Sequence, residues 1–159
     1  MELFNIRDAH KADMTAVYKL IRALAEFEKL SDAVVITVAD LERDGFGSNP
    51  LFHCFVAEAE GAIVGIAVVY PRYSTWCGPV IHLEDLIVDQ AYRGKGIGKA
   101  LLERVLQYGI EKKVRRVAWE VLDWNESAIA FYESFGAKVL RDWDVVQMDE
   151  KALQKFSER

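Results

Sequence analysis

The sequence is poor in cysteine and proline: Cys54 and Cys77 are its only cysteines, and three of its 159 residues are prolines. Two cysteines are too few for the disulfide framework of a small secreted domain or for a cysteine-based zinc site. We therefore expect both thiols to behave as small buried hydrophobic groups, and we expect no metal site.

Long hydrophobic runs are also missing. The run 62–70 is one of the longest, whereas a transmembrane helix needs about 20 apolar residues. The first residues, 1–5, lack the basic start and apolar core of a signal peptide. With 52% hydrophobic and 28% charged residues, the composition is that of a folded domain. We therefore expect one cytoplasmic domain over 1–159 that does not bind membranes.

The chain has no excess of positive charge. It carries 25 acidic and 20 basic residues and a net charge of −5, which argues against a nucleic acid partner. Acidic residues are concentrated within 26–44 and basic residues within 95–116. Either these are ordinary solvated faces, or an anionic cofactor meets the basic half and a cationic substrate meets the acidic half.

The chain does contain a glycine-rich segment at 93–98, with the sequence RGKGIG, directly after the strand-like run 83–88. The apolar residues Ile97, Leu101 and Val105 that follow have helical spacing. Glycines at a strand-to-helix turn leave backbone N–H groups and the positive end of the helix dipole open to a ligand. This pattern predicts a phosphate or pyrophosphate site, and therefore an anionic cofactor.

Two common phosphate-binding patterns do not fit this segment. The P-loop of nucleotide hydrolases, G-x-x-x-x-G-K-[ST], would need glycine at Arg93 and a hydroxyl at Ala100. The dinucleotide pattern G-x-G-x-x-G would need glycine at Lys99. The segment fits R-x-x-G-x-G, which resembles the pyrophosphate loop of the GNAT family of N-acetyltransferases, enzymes that bind acetyl-CoA. An ordinary glycine-rich turn is the alternative.

The remaining periodicity predicts an α/β domain. Predicted strands cover 4–7, 52–59, 62–70, 80–88 and 116–122, with a hairpin turn at Glu60-Gly61 and two weaker strands within 137–148. Predicted helices cover about 13–29, a short segment after the Thr37–Asp40 capping box, about 96–113, 126–135 between Asn125 and Gly136, and a short tail from Asp149. No internal repeat, low-complexity tract or linker interrupts this order.

The order of these elements and a series of short segments resemble the GNAT family across essentially the whole chain, and most closely its spermidine/spermine acetyltransferase branch. The matching segments are 44–47 (DGFG), 53–54 (HC), 73–76 (YSTW), 83–85 (LED), 92–94 (YRG), 96–98 (GIG), 124–126 (WNE), 131–132 (FY) and 136–137 (GA). The segments 25–32, 73–76 and 121–125 look more like the thialysine N-ε-acetyltransferases than the polyamine enzymes. The resemblance implies a GNAT fold, with a mixed, mostly antiparallel sheet of six to seven strands flanked by helices.

The resemblance implies two catalytic residues, Tyr132 and Glu84. Acetyl transfer to an amine requires that the amine lose a proton before it attacks the thioester, and the departing thiolate gains from a nearby acid. Glu84 would contact the substrate amine, directly or through a water, and relay its proton. The Tyr132 phenol would donate a proton to sulfur. The alternative for Tyr132 is a buried aromatic anchor.

Glu84 and Asp85 are neighbours in a predicted strand. In a regular strand they point to opposite faces, so that only one would face the substrate, unless a bulge brings them together. A carboxylate in a strand this apolar needs a partner or an opening. Both residues are therefore candidates for binding the cationic substrate.

Four further residues match substrate contacts of the family. Phe27 and Glu28 match a contact pair whose first position is more usually tyrosine in the polyamine enzymes. The pocket therefore lacks a hydroxyl, which disfavours a polyamine. Ser74 and Thr75 match positions that could hydrogen-bond the head group of an amino acid, and a solvated turn is the alternative.

The cofactor contacts that the resemblance implies fall into three groups. The pantetheine arm would bind, as an added strand does, to main-chain groups of Leu86, Ile87 and Val88. The pyrophosphate would lie against Arg93, Gly94, Lys95, Gly96, Ile97, Gly98 and Lys99. Positions near the pantetheine and the thioester correspond to Asn125, Ser127 and Ala128. The family's basic residue three places after the tyrosine is Phe135 here, so a phosphate or adenine contact from that helix is expected to be missing.

We expect an acetyl-CoA-dependent N-acetyltransferase that acts on a primary amine of a small cationic substrate, either a thialysine-like amino acid or a diamine or polyamine. Neither Cys54 nor Cys77 lies in a nucleophile context, which favours direct transfer in a ternary complex. His10, His53 and His82 belong to no nucleophile pattern and are expected to be structural. Two alternatives remain open: a non-catalytic acetyl-CoA-binding or sensing domain, and a protein lysine acetyltransferase. The resemblance also implies a homodimer.

Overall fold

The computed structural model describes residues 3–158, and the chain forms two compact units, one up to Glu120 and one from Val121 onward. The helices are α1 Met14–Phe27, α2 Val38–Phe46, α3 Ile97–Glu111, α4 Glu126–Glu133 and α5 Glu150–Ser157. The strands are β1 Asn5–Asp8, β2 His53–Ala59, β3 Ala62–Ser74, β4 Gly78–Val88 and β5 Val117–Ala118. The single domain over 1–159 stays a prediction.

The strands of the first unit form one sheet in the order β1-β2-β3-β4-β5. Neighbouring strands from β1 to β4 are antiparallel. β5 lies parallel to β4, beside Ile81 and His82. This mixed, mostly antiparallel sheet with helices beside it confirms the predicted fold class.

The two faces of the sheet carry different helices. On one face, α1 buries Met14 and Val17 in a cluster that includes Ile66 and Val68 of β3. On the other face, a Cβ placed on Gly65 would lie 3.1 Å from the Leu101 side chain of α3. Gly65 and Ile66 are consecutive in a strand and therefore point to opposite faces. The sheet thus lies between α1 on one side and α3 on the other.

Local sequence signals set several boundaries as predicted. The Thr37 hydroxyl accepts a hydrogen bond from the Asp40 N–H, and the Asp40 carboxylate accepts one from the Thr37 N–H, which starts α2 with a reciprocal cap. Glu60 and Gly61 both have positive φ, at 53° and 77°, as a two-residue turn between antiparallel strands requires. Each signal acts over two to four residues, so it needs no distant partner.

The predicted number of strands is too high. The structure describes five strands rather than six to seven, and among the residues it describes, 137–148 form no strand. All residues from Leu140 to Met148 are exposed. An alternating pattern gives a strand only where a neighbouring edge supplies hydrogen-bond partners. For the same reason the strand predicted over 116–122 is reduced to Val117–Ala118, the two residues that pair with β4.

Within residues 3–158, no helix combines the length and the apolar character that a membrane span requires. The same residues include no group of three or more His, Cys, Asp or Glu side chains arranged to hold a metal ion.

Candidate active site

The glycine loop between β4 and α3 has the backbone shape that an anion site needs. Gly94 and Gly96 have φ of 75° and 84°, and Gly96 is the N-terminal cap of α3. Apart from the adjoining backbone, no heavy atom lies within 4 Å of a Cβ placed on either glycine. The first turn of α3 carries no acidic residue, and its leading N–H groups have no partner inside the helix. The loop therefore presents donors to an open space, which fits a pyrophosphate.

Side chains hold this loop against the rest of the first unit. The Asp89 carboxylate accepts a hydrogen bond from the Ala91 N–H at 2.9 Å, and the Tyr92 hydroxyl donates to Glu60 at 3.2 Å. Arg93 Nε donates to the carbonyl oxygen of Val88 at 3.0 Å. One predicted phosphate ligand, Arg93, therefore also fixes the start of the loop to the end of β4.

Arg93 also links the loop to α1. Its guanidinium lies 5.7 Å from the centre of the Phe27 ring, which is the geometry of a cation–π contact. Phe27 is the last residue of α1, and Glu28 follows as its C-terminal cap. The structure thus brings a predicted substrate residue, Phe27, next to a predicted cofactor residue, Arg93.

One edge of β4 is open over the residues predicted to bind the pantetheine arm. Leu86, Ile87 and Val88 pair with β3 on one side. On the other side, β5 pairs only with Ile81 and His82, and the described residues place no strand beyond them. Main-chain groups of β4 that point away from β3 are available there to an extended ligand.

A β-bulge separates Glu84 from the regular pairing of β4. Val68 pairs with Asp85 and Val69 pairs with Leu83, so Glu84 is an extra residue with no partner of its own on β3. Paired residues share a face of the sheet, and Asp85 therefore lies on the α1 face with Val68. Because a bulge interrupts the alternation of a regular strand, the carboxylates of Glu84 and Asp85 can both reach the same face of the sheet.

Three carboxylates come together on the α1 face. Burial, together with the charges of Glu84 and Glu28, raises the pKa of Asp85 to about 6. Burial raises the pKa of Glu28 as well. Glu84 is the most accessible of the three, with about half of its side chain exposed (54%). Such a cluster favours a cation, because a positive charge would relieve the mutual repulsion of the carboxylates.

Two further side chains adjoin this cluster. Tyr70 pairs with His82 across β3 and β4, which puts both on the α1 face, and their ring centres lie 5.0 Å apart. His82 Nε2 lies 3.6 Å from a carboxylate oxygen of Glu84. Burial and the Glu84 carboxylate raise the pKa of the Tyr70 phenol. The spacing of two residues between His82 and Glu84 in a strand is the sequence signal for this contact.

Ser74 and Thr75 lie at the far end of the β3–β4 hairpin. Ser74 pairs with Gly78 and its hydroxyl accepts a hydrogen bond from the Trp76 N–H at 3.3 Å, so it stabilises the turn. Ser74 lies six positions along β3 from Val68, the partner of Asp85, which is about 20 Å along a strand. The structure therefore does not bring these two hydroxyls next to the acidic cluster of the same chain.

The remaining predicted site residues belong to the second unit. The side-chain oxygen of Asn125 accepts a hydrogen bond from the Ala128 N–H at 3.2 Å and caps α4, as predicted. Ser127 is exposed in the first turn. Tyr132 lies near the end of α4, its ring 5.4 Å from that of Phe131, and burial raises the pKa of its phenol.

The two cysteines differ in their surroundings. Cys54 is buried in β2 on the α1 face, and burial, with the charges of Asp13 and Asp85, raises its pKa to about 12. Cys77 is half-buried in the β3–β4 turn, which departs from the expectation that both are buried. A tight turn at the surface gives a side chain fewer neighbours than a central strand does. Both thiols are free.

Comparison with known proteins identifies related sequences and folds. Residues 14–137 match the model of the acetyltransferase (GNAT) family. The chain is 39% identical to thialysine N-epsilon-acetyltransferase of Sus scrofa, with 96% of each chain covered. It is 42% identical to human spermidine/spermine N(1)-acetyltransferase-like protein 1 over 86% of this chain and 21% of that protein.

A solved structure shares the fold. The integron cassette protein VCH_CASS6, from the mobile metagenome of V. cholerae, superposes with a TM-score of 0.79 over 100% of both chains, at 20% identity. At that identity the likeness supports the fold alone.

Proposed function

The chain belongs to the acetyltransferase (GNAT) family and is an acetyl-CoA-dependent N-acetyltransferase, and we propose that its acceptor is the terminal amine of a small cationic amino acid of the thialysine type. The observation that carries this proposal is the bulge at Glu84. It gathers Glu84 and Asp85 on one face, near Glu28 and beside the open edge of β4. The relatives named for thialysine are 38–39% identical over nearly the whole chain.

We propose that the glycine loop and the open β4 edge hold acetyl-CoA, which supplies the thioester. The loop places N–H groups at the positive end of α3, where the space around Gly94 and Gly96 is open. Lys95 and Lys99 flank this space in sequence and add positive charge. The chain therefore offers donors for the pyrophosphate and, along 86–88, main-chain groups for an extended arm.

Glu84 is proposed as the acceptor of the amine proton. An amine of the lysine type has a pKa of about 10.4 in water, so it binds as a cation and must lose a proton before it can attack. Asp85 and Glu28 attract the cation, and Glu84, which is accessible, takes its proton directly or through a water. The nitrogen then bonds to the acetyl carbon as the carbon–sulfur bond breaks.

Tyr132 is proposed as the donor of a proton to the departing sulfur. Burial raises the pKa of its phenol, which keeps the hydroxyl protonated at neutral pH and available for donation. Tyr132 also contributes packing through Phe131, so a role as an aromatic anchor is compatible with the same position. A substitution that keeps the ring separates the two roles.

We propose direct transfer from acetyl-CoA to the amine. With a pKa near 12, Cys54 remains a thiol at neutral pH, and a thiol is a poor nucleophile. Two free cysteines also suit a reducing compartment, and we propose a cytoplasmic location.

The preference for thialysine over a polyamine rests on the size and polarity of the acidic site. Phe27 has no hydroxyl, and its ring contacts Arg93. A polyamine has several cationic centres, and binding all of them would require a longer acidic surface than Glu28, Glu84 and Asp85 provide. The sulfur of thialysine withdraws electron density, so its terminal amine loses a proton more easily than that of lysine.

A panel of amines tests the proposal. Release of free CoA would be measured with thialysine, lysine, ornithine, putrescine, spermidine, spermine and a histone-tail peptide. We expect kcat/KM for thialysine to exceed that for spermidine at least tenfold, equivalent to about 1.4 kcal/mol. Glu84→Gln should depress activity on every amine while acetyl-CoA still binds.

Each contrary outcome has a distinct meaning. A clear preference for spermidine or spermine overturns the proposed thialysine-type substrate but leaves the acetyltransferase activity standing. Transfer to the peptide alone identifies a protein lysine acetyltransferase. Acetyl-CoA binding by calorimetry with no transfer to any amine identifies a binding or sensing domain.

A further inference from the structure

His82 is the buried polar residue of the first unit whose surroundings the proposed chemistry leaves unexplained. It is 7% exposed and lies in β4 on the same face as Asp85. Its Nδ1 is buried and has no hydrogen-bond partner among the described residues. Its Nε2 faces the Glu84 carboxylate at 3.6 Å, slightly beyond hydrogen-bond distance.

Stability does not account for a histidine at this position. A buried ring nitrogen without a partner costs free energy, whereas an apolar side chain of similar shape in the same place does not. The adjacent residues, Ile81 and Leu83, are both buried and apolar. A leucine at position 82 would suit this strand better than a histidine does.

The two ring nitrogens determine which form of His82 fits. A protonated ring would carry a charge and an unsatisfied donor at Nδ1, where no partner lies. A neutral ring with its hydrogen on Nε2 leaves only a lone pair at Nδ1 and directs its donor at Glu84. In this tautomer the Nε2–H of His82 points at the Glu84 carboxylate, 3.6 Å away.

We infer that His82 is a positioning residue for Glu84: its Nε2–H holds the carboxylate in the orientation in which it accepts the proton of the substrate amine. Glu84 needs such a support because it sits in a bulge, outside the regular pairing of β4. The Tyr70 ring packs against the His82 ring, with ring centres 5.0 Å apart and an angle of 40° between the ring planes. This inference rests on the proposed function, since it assigns a partner to the proposed proton acceptor.

Two substitutions separate orientation from packing. His82→Leu fills the same space and removes the donor, and His82→Gln keeps a donor N–H near the position of Nε2. We expect the leucine variant to lose about tenfold to a hundredfold in kcat, the usual result of a misplaced catalytic group, with the KM for the amine and the affinity for acetyl-CoA little changed. Its melting temperature should equal or exceed that of the wild type, and the glutamine variant should recover most of the kcat.

His53→Gln is the matched control. His53 is also a histidine of the central strands, but its Nε2 pairs with Asp8 at 2.9 Å, away from the acidic cluster. Its kcat should remain at the wild-type value.

The outcomes distinguish this inference from the proposed function. A wild-type protein that acetylates no amine overturns both. An active wild type with an unchanged kcat in His82→Leu overturns the inference alone. Equal losses of kcat in the leucine and glutamine variants, or a loss of kcat that follows a fall in melting temperature, also overturn it, because the role would then be one of shape.

Discussion

Asp85 shows at the scale of a single residue how the site is charged. Its carboxylate lies on the α1 face opposite Val68, and burial next to Glu84 and Glu28 raises its pKa to about 6. In the unfolded chain the Asp85 carboxyl would have the ordinary aspartate pKa of 3.8. The folded protein therefore binds the proton more tightly than the unfolded one between these two pH values.

This difference predicts the effect of pH on stability. The charged form of Asp85 destabilises the folded state, fully above pH about 6 and not at all below pH about 4. We expect Asp85→Asn to raise the free energy of unfolding by up to about 3 kcal/mol at pH 7 relative to its effect at pH 3.5. Urea unfolding from pH 3.5 to pH 8 measures this change.

Asp32→Asn is the control, because it removes the carboxylate of an exposed residue outside the acidic cluster. A constant difference between Asp85→Asn and the wild type over the whole range would show that Asp85 is not held in unfavourable surroundings. Asp85→Asn should also raise the KM for a cationic amine, since it removes one negative charge from the acidic cluster.

Tyr132 is either a proton donor or an aromatic anchor, and its hydroxyl decides between the two roles. Tyr132→Phe keeps the ring contact with Phe131 and removes the hydroxyl. If the phenol donates a proton to sulfur, kcat should fall by about 10²–10⁴-fold, the usual contribution of a general acid, with the affinity for acetyl-CoA unchanged. Steady-state kinetics and calorimetry measure the two quantities.

Tyr108→Phe provides the comparison. Tyr108 lies in α3 and stacks against His53 with ring centres 5.2 Å apart, so it also loses only a hydroxyl. If Tyr132→Phe retains a kcat as high as that of Tyr108→Phe, Tyr132 is an anchor rather than an acid.

At the scale of an element, the turn from β4 into α3 depends on the conformation of two glycines. A valine at Gly96 would have to adopt φ of 84°, which β-branched residues rarely do, and its branches would enter the open space of the loop. We expect Gly96→Val to weaken acetyl-CoA binding at least tenfold, equivalent to about 1.4 kcal/mol, in calorimetry of a protein that remains folded by circular dichroism.

Gly78→Val separates strain from binding. Gly78 has φ of 80° and open space where a Cβ would lie, but it is at the far end of the sheet, at the start of β4. The Gly78→Val variant should be less stable than the wild type and should bind acetyl-CoA with the same affinity. If both valine variants bind acetyl-CoA like the wild type, the loop is an ordinary turn.

At the scale of the whole molecule, a second copy of the chain is the partner that the sequence resemblance implies. Within one chain, Ser74 and Thr75 lie far from the acidic cluster, at the tip of a hairpin. That tip exposes 73% of Tyr73 and 82% of Trp76, and exposed aromatic side chains of this kind are common in protein interfaces. A second copy could cover them.

We therefore predict that the protein is a homodimer with twice the 18.1 kDa mass of the chain. Sedimentation velocity should show this mass, and the double variant Tyr73→Ser with Trp76→Ser should shift the protein toward the monomer. Leu51→Ser, another exposed apolar residue outside the hairpin, should leave the dimer intact. A wild-type chain that sediments as a monomer at micromolar concentration contradicts the prediction.

Much of the fold and part of the site follow from local sequence alone. The Thr37–Asp40 cap, the Glu60-Gly61 turn, the Asn125 cap and the left-handed glycines of the loop lie where the sequence predicts them. Each of these features depends on a few consecutive residues, because caps, turns and positive φ are decided by a side chain and its neighbours within one turn. The predicted boundaries of α1 and β4 differ from the observed ones by at most about two residues, because the ends of helices and strands are less sharply defined than their centres.

Only the tertiary structure decided the remaining features. The bulge at Glu84 is a property of the pairing between β3 and β4, and a sequence does not show which residue of a strand is left without a partner. The raised pKa of Asp85 needs Glu28, which is distant in sequence and reaches the cluster from the end of α1. β5 is short, and 137–148 forms no strand among the described residues, because strands require hydrogen-bonded neighbours. Charge, burial and pairing arise between distant segments, so the chemistry of the acidic cluster becomes visible only once the sheet has formed.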